Sequence, residues 1–419
     1  MFFVFSLKNG GDNDRINLMK SPLNLSYTSV HGTYWMYSSV ILSFSSVFLL
    51  SKGYTNSEIG VVLAIANIVS FVLQPALADL IDRSKKITLS IVTQIMVVFL
   101  LLGTLSLIYF PGKSFSLSTI YMLLAALHIA VQPMINAMAF HYSDASERLN
   151  FGIARGGGSV AFAGISSILG ALVVAFGTTS IPVTGVVLLT LFLVSLIGLD
   201  RLYHRMTVAQ PSKSGSFKPH VDASPITLVA FVRRNKVFVI FSFAVLLIYF
   251  QNVAINNYLI QILSAVGGRS DQMGRLLSFM ALLELPGLFF FSRIRFWFSC
   301  QFMLKVASIG FILKVLFTYL ATSVGFVYFA FLFQLVSFPF FLSASVHLVD
   351  EIMEKGEAVK GQSLLTAMIT LSAVFASLFG GMVLDISGPS QLLLVSTLTT
   401  VIGTIMVFLF VDKIKSNKT

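Results

Sequence analysis

Glu284 lies in the apolar run ALLELPGLFF, and Lys314 lies in GFILKVLF. An isolated ionised carboxylate in hydrocarbon is prohibitively costly, so such an acid must be paired, hydrated or protonated. Lys314 is the clearest cation at comparable depth on the next apolar segment. Together the two can hold a charge, exchange a proton or grip a polar solute. Glu284 is also the only carboxylate that the sequence places deep within an apolar segment. Lys305 sits nearer the end of its segment, where a long side chain reaches the headgroups. Pro286, two residues beyond Glu284, loosens the helix and leaves carbonyls in need of partners.

A further charge, Arg155, stands in FGIARGGGSV at the start of another apolar run. A glycine-rich loop cradles phosphate when a strand precedes it and a helix follows, and no strand pattern precedes this one. Gly152 and Gly156, four apart, instead allow close approach by another helix, and Gly157 and Gly158 widen that smooth surface. Arg155 costs roughly 2.5–3.5 kcal/mol at a bilayer centre and less near the interface. It either faces a polar cavity or snorkels to the headgroups.

Uncharged polar residues come in helical pairs. Gln132 and Asn136 are four apart, as are Asn252 and Asn256, with Asn257 and Tyr258 adjoining the latter. Gln334 and Ser337 are three apart, and Asn67 and Gln74 seven apart. Each spacing puts hydrogen-bonding groups on one helix face. A single pair suits interhelical bonding at about 0.6 kcal/mol per bond, whereas several pairs spread over the chain fit a hydrophilic cavity. Asn, Gln, Tyr, one acid and two bases suit a ligand rich in hydroxyls. The six histidines are scattered, with no metal-ligand or nucleophile constellation, and there is no GxxxxGK[ST] loop. The pattern therefore points to no cofactor, no metal, no ATP-driven step and no enzyme.

The elements that must position these residues are membrane helices. Of 419 residues, 56% are hydrophobic and 11% charged, against about 25% charged in a soluble domain; the mean hydropathy is +0.89. Roughly 20 apolar residues cross the hydrocarbon core. Twelve segments qualify, near 31–51, 56–80, 87–110, 117–141, 154–177, 181–199, 237–263, 274–292, 300–321, 325–348, 362–384 and 390–411. The expected fold class is an all-α membrane protein of two six-helix halves. Residues 1–28 are read as an N-terminal tail, 29–200 and 237–412 as the two bundles, 201–236 as a linker and 413–419 as a C-terminal tail. The start of the chain lacks the basic region and apolar length of a signal peptide. Lys and Arg gather in one set of loops, which includes DRSKK (82–86), the linker, SRIR (292–295) and DKIKSNK. That set should be cytoplasmic, with both termini. The formal charge of +11 thus reflects topology and does not call for nucleic acid. The single cysteine, Cys300, rules out an intramolecular disulfide.

On these residues the chain resembles the major facilitator superfamily, and within it the lactose permease-like proton:oligosaccharide and nucleoside symporters. QPALADLIDRSKK is similar to the superfamily's loop motif, with Asp82 and Arg83 in place as gating residues; Ala78 stands where glycine is usual, and the glycine after the basic residue is missing. FGIARGGGSVAF is similar to the permease's fifth span. The resemblance implies that Arg155 binds sugar hydroxyls and that Phe162, in place of a tryptophan, stacks on the sugar ring. It also places Glu284 and Lys314 on an acid and a base used in sugar binding and proton coupling. Asn136, Gln334 and Ser337 occupy positions that are charged or titratable in those relatives, and Asn252 occupies the position of an acid.

The resulting expectation is a secondary active transporter that works by alternating access and carries a sugar, an oligosaccharide or a similar solute in symport with protons. Its substrate-binding residues would be Gln132, Asn136, Arg155, Phe162, Asn252, Asn256, Glu284, Lys314 and Gln334, and its coupling residues Glu284 and Lys314. A proton crossing the membrane supplies about 2.3 kcal/mol per 100 mV, enough for roughly fifty-fold accumulation. The alternative is an uncoupled facilitator or exporter of a small anionic or zwitterionic solute or a nucleoside, since Arg155 and Lys314 outnumber Glu284. A sensor or receptor would call for a sizeable soluble domain, and no stretch of the sequence reads as one. The resemblance further implies a monomer in a bacterial cytoplasmic (inner) membrane, partnered by lipid, protons and a small solute.

Overall fold

A computed structural model describes residues 21–83, 88–142, 149–209, 228–353 and 355–414. All regular structure among them is helical. The helices are α1 (Pro22–Ser38), α2 (Ser45–Ser51), α3 (Asn56–Arg83), α4 (Leu89–Ser106), α5 (Phe115–His141), α6 (Phe151–Phe176) and α7 (Ser180–Ala209). There follow α8 (Leu228–Arg234), α9 (Lys236–Asn257), α10 (Leu259–Ala265), α11 (Ser270–Phe289), α12 (Phe291–Trp297), α13 (Cys300–Tyr319), α14 (Val324–Phe331), α15 (Phe338–Ile352), α16 (Lys355–Ser387) and α17 (Pro389–Phe410). Ten spans are long and apolar enough to cross a membrane, and an eleventh is the pair Pro22–Ser43 and Ser45–Ser51, bent by 44°. The remaining expected segment is α11, which is long enough but carries Asp271, Arg275 and Glu284.

Local chemistry sets the helix starts. Ser21, Thr88, Ser114, Asn150, Ser299 and Ser323 each accept a hydrogen bond from the backbone N–H three residues on, satisfying one of the four orphan donors of the first turn. Gly177 ends α6 with φ +78°, a conformation that other residues avoid.

Several elements depart from the sequence expectation. The first helix begins at Pro22, so residues 22–28 of the expected tail are helical; proline has the right φ and needs no donor there. Helices α7 and α8 run into the stretch read as linker, and α16 starts seven residues before its expected span. Glu357, placed by sequence in a polar loop, is fully buried in the first turn of α16. It accepts a hydrogen bond from Arg234 Nη1 at 3.2 Å and one from Asn235 Nδ2 at 3.5 Å. The tenth span is broken: a 3-10 turn over Leu332–Leu335 separates α14 from α15, and Pro339 opens the second half. Residues 84–86 of the basic loop, 210–227 of the linker, and the tails 1–20 and 415–419 lie outside the described residues.

The helices cluster into two units. Among described residues, one holds 228–268 and 283–414, and the other holds 21–209 and 269–282. In the second unit, α1 lies along α6, and FGIARGGGSV explains why it can. A Cβ on Gly157 would come within 2.5 Å of Thr28 Cγ2, and one on Gly158 within 2.5 Å of Trp35 Cδ1. Asn24 Oδ1 accepts from Asn150 N at 2.7 Å at one end of this seam. Ser39 and Ser166 share a hydroxyl hydrogen bond at 2.8 Å at the other. There α1 passes into a π turn, Ser39–Ser43.

Candidate functional site

In the first unit, four expected site residues converge. Glu284 (α11), Lys314 (α13), Gln334 (the 3-10 turn) and Asn252 (α9) are all buried. Close backbone packing brings the helices together. A Cβ on Gly287 would lie 2.7 Å from the Pro339 ring, and one on Gly310 would lie 3.2 Å from Ser337 Cβ. The expected pairing of Glu284 with Lys314 runs through an amide. Lys314 Nζ donates to Gln334 Oε1 at 2.8 Å, and Gln334 Nε2 donates to Glu284 Oε1 at 2.7 Å. Lys314 Nζ also reaches Asn252 Oδ1 at 3.5 Å and sits 5.0 Å from the Phe331 ring centroid.

The amide is oriented by the charges on both sides: its oxygen meets the ammonium and its NH2 the carboxylate. Burying two ions costs several kcal/mol each, which their attraction repays only when further hydrogen bonds complete the site; Gln334 supplies these bonds. The sequence pairs Gln334 with Ser337 on one helical face, whereas the break between α14 and α15 turns Gln334 to the charges. Ser337 is buried, with a hydroxyl that has no partner. Asn256 is half-buried, and its side-chain oxygen is likewise unpartnered.

In the second unit, Arg155 is half-buried on α6. Its guanidinium lies over the Trp35 ring, 4.0 Å from the centroid, and Nη1 donates to Ser159 Oγ at 2.7 Å. Stacking on indole offsets part of the cost of taking the cation out of water. Trp35 is not singled out by sequence reasoning. It lies 13 residues into α1, about 20 Å along the helix. Tyr34 and Tyr37 flank His128, whose ring is fully buried and stacks on Tyr34 at 4.4 Å. His31 Nε2 shares a hydrogen bond with Tyr27 Oη at 2.9 Å.

Gln132 and Asn136 are half-buried on α5, the helix of His128, and Phe162 is half-buried on α6. Other polar residues are satisfied locally: Asn67 bonds to Leu63 O and Gln74 to Ser70 Oγ, both within α3. Lys305 pairs with Asp412. Arg83 pairs with Asp79 one turn back at 2.7 Å, and Asp82 and Arg83 are exposed at the end of α3. No group of three or more His, Cys, Asp or Glu suited to a metal occurs among the described residues.

The described residues thus form membrane-length helices in two units, with buried charged and amide groups. Residues 27–395 match the profile of the MFS_1 like family. The chain belongs to that family. No curated protein matches it in sequence. Among solved structures, it is similar to a point-mutant form of the nucleoside transporter NupG, with a TM-score of 0.76 and 13% identity over 94% of this chain and all of that one. It is also similar to a bacterial homologue of the human lysosomal transporter Spinster, inward-facing and unoccupied, with a TM-score of 0.68 and 14% identity over 97% of this chain and all of that one. At such identities the likeness speaks for the fold. As an MFS_1-like protein the chain is a multi-pass membrane transporter and not an enzyme.

Proposed function

We propose that this MFS_1-like protein couples proton movement to the transport of a sugar, an oligosaccharide or a similar hydroxyl-rich solute. The observation that carries this reading is the buried relay Glu284–Gln334–Lys314–Asn252. Glu284 is the proton carrier. While it is ionised, Gln334 is held between it and Lys314. Once it is protonated, the carboxyl accepts from the amide NH2 only as a neutral carbonyl, a weaker bond, and Lys314 is freer to turn toward Asn252 and the solute. Substrate oxygens that accept from Lys314 favour the protonated state, which links binding to proton uptake. Within the second unit taken by itself, Arg155, Gln132 and Asn136 offer hydrogen bonds and Phe162 an aromatic edge to a solute; within the first, Asn256 offers a further hydrogen bond. Asp82 and Arg83 belong to a cytoplasmic gating loop. The protein acts as a monomer in a bacterial inner membrane, with both termini in the cytoplasm.

A second reading is an uncoupled facilitator or exporter of an anionic or zwitterionic solute or a nucleoside. The two cations, Arg155 and Lys314, set against one acid favour it, as does the likeness to a nucleoside transporter. Uptake into proteoliposomes separates the two. A labelled panel of mono- and disaccharides, nucleosides and organic acids is offered with and without an imposed proton gradient, to wild type and Glu284→Gln. Gradient-driven accumulation of one sugar that Glu284→Gln abolishes, with downhill exchange retained, is the expected result. Accumulation that never exceeds equilibrium in either protein supports the facilitator.

A further inference from the structure

We propose that Trp35 is a substrate-binding and positioning residue, whose indole holds the Arg155 guanidinium flat and adds its own N–H to the donors that Arg155 presents. The proposal rests on the transporter reading, and it extends the site to a residue on α1. Four observations carry it. Trp35 is half-buried rather than packed away. Its ring carries the Arg155 guanidinium at 4.0 Å. Gly158 leaves room for the indole edge, which a Cβ there would meet at 2.5 Å. Finally, Ser159 fixes one end of the guanidinium at 2.7 Å, so that indole and hydroxyl together hold the fork in one orientation.

The chemistry of the rim selects its ligand. An indole N–H and a guanidinium only donate. A solute that binds there must bring acceptors, such as hydroxyl, carbonyl or carboxylate oxygens, and an ammonium group is turned away. Tyr34 lies edge-on to Trp35 at 5.4 Å.

The chain has two tryptophans, and Trp297 is 74% exposed on α12, so Trp297→Phe makes Trp35 the sole indole reporter. The purified Trp297→Phe protein is titrated with mono- and disaccharides, nucleosides, organic acids and, as the contrasting class, polyamines. Saturable change in Trp35 emission with one of the oxygen-rich solutes, lost in Arg155→Ala, is the expected result. Transport of the same solute by Trp35→Phe should show KM raised roughly five- to ten-fold, the loss of about one hydrogen bond, with kcat near wild type. Trp35→Leu, which removes the ring as well, should raise KM further. Emission that no oxygen-rich solute moves overturns the proposal, whether or not uptake is seen. A response to polyamines overturns the donor-rim argument. Uptake with silent emission leaves the transporter standing without Trp35. A response without uptake keeps the site and removes that solute as cargo.

Discussion

Lys314 has no charge-neutral way to be removed alone. Lys314→Met leaves Glu284 and the Gln334 carbonyl buried without their cation, and breaking a buried pair in this way costs about 3–5 kcal/mol. Pairing Lys314→Met with Glu284→Gln removes both charges and should recover most of that loss. Because Cys300 is the only thiol and is buried, a thiol-reactive dye reads unfolding directly. The single variant should melt well below wild type and the double variant close to it; equal melting of the two would mean that the charges are not coupled. The charged residues are legible in the sequence because an ion amid Leu and Phe demands a partner. Gln334 as the bridge is not, since an amide in an apolar segment has many ways to be satisfied. Trp35 is hidden for a related reason: its partner lies on a different helix, far along the chain.

At the scale of elements, glycines set how closely helices approach. In the second unit, a Cβ on Gly274 would lie 2.2 Å from Ser166 O, and one on Gly170 would lie 2.5 Å from Ser270 O. Both neighbours are backbone atoms that no rotamer change relieves. Ser278 Oγ completes this contact by donating to Ala163 O. Gly170→Ala and Gly274→Ala should therefore each destabilise by about 1–3 kcal/mol, in the range of overpacked cores. Gly164→Ala, on the same helix as Gly170 but with nothing within 4 Å, should be neutral in the same melt. Helix existence is plain from apolar length, and eleven of the twelve expected segments qualify as spans. Helix starts are less legible, because Pro22 reads as part of a tail and Glu357 as part of a loop until a cap or the partner Arg234 claims them. The break in the tenth span is signalled only by Pro339, which marks where the second half begins but not that Gln334 turns inward before it.

For the whole molecule, the asymmetry of Lys and Arg between loops is the argument for orientation. Reporter fusions after residue 419 and within 210–227 should be active only with a cytoplasmic reporter, whereas a fusion near Lys113 should be active only with an external one. The opposite pattern would invert the topology. Fold class and topology are legible at this scale because composition averages over hundreds of residues. Substrate chemistry is not, since a handful of donors on separate helices decides it.

The π turn at Ser39–Ser43 amounts to one residue more than an α-helix needs over that stretch. In terms of descent, such a turn is what a single-codon insertion leaves behind when the residues on both sides keep their faces. A relative with an unbroken first helix should then align with a one-residue gap somewhere in 39–43, and with the partners of Trp35 undisturbed. Deleting Val40 from this chain is the corresponding laboratory experiment. It should straighten the bend, pull Ser39 off Ser166 and leave an unbroken first helix.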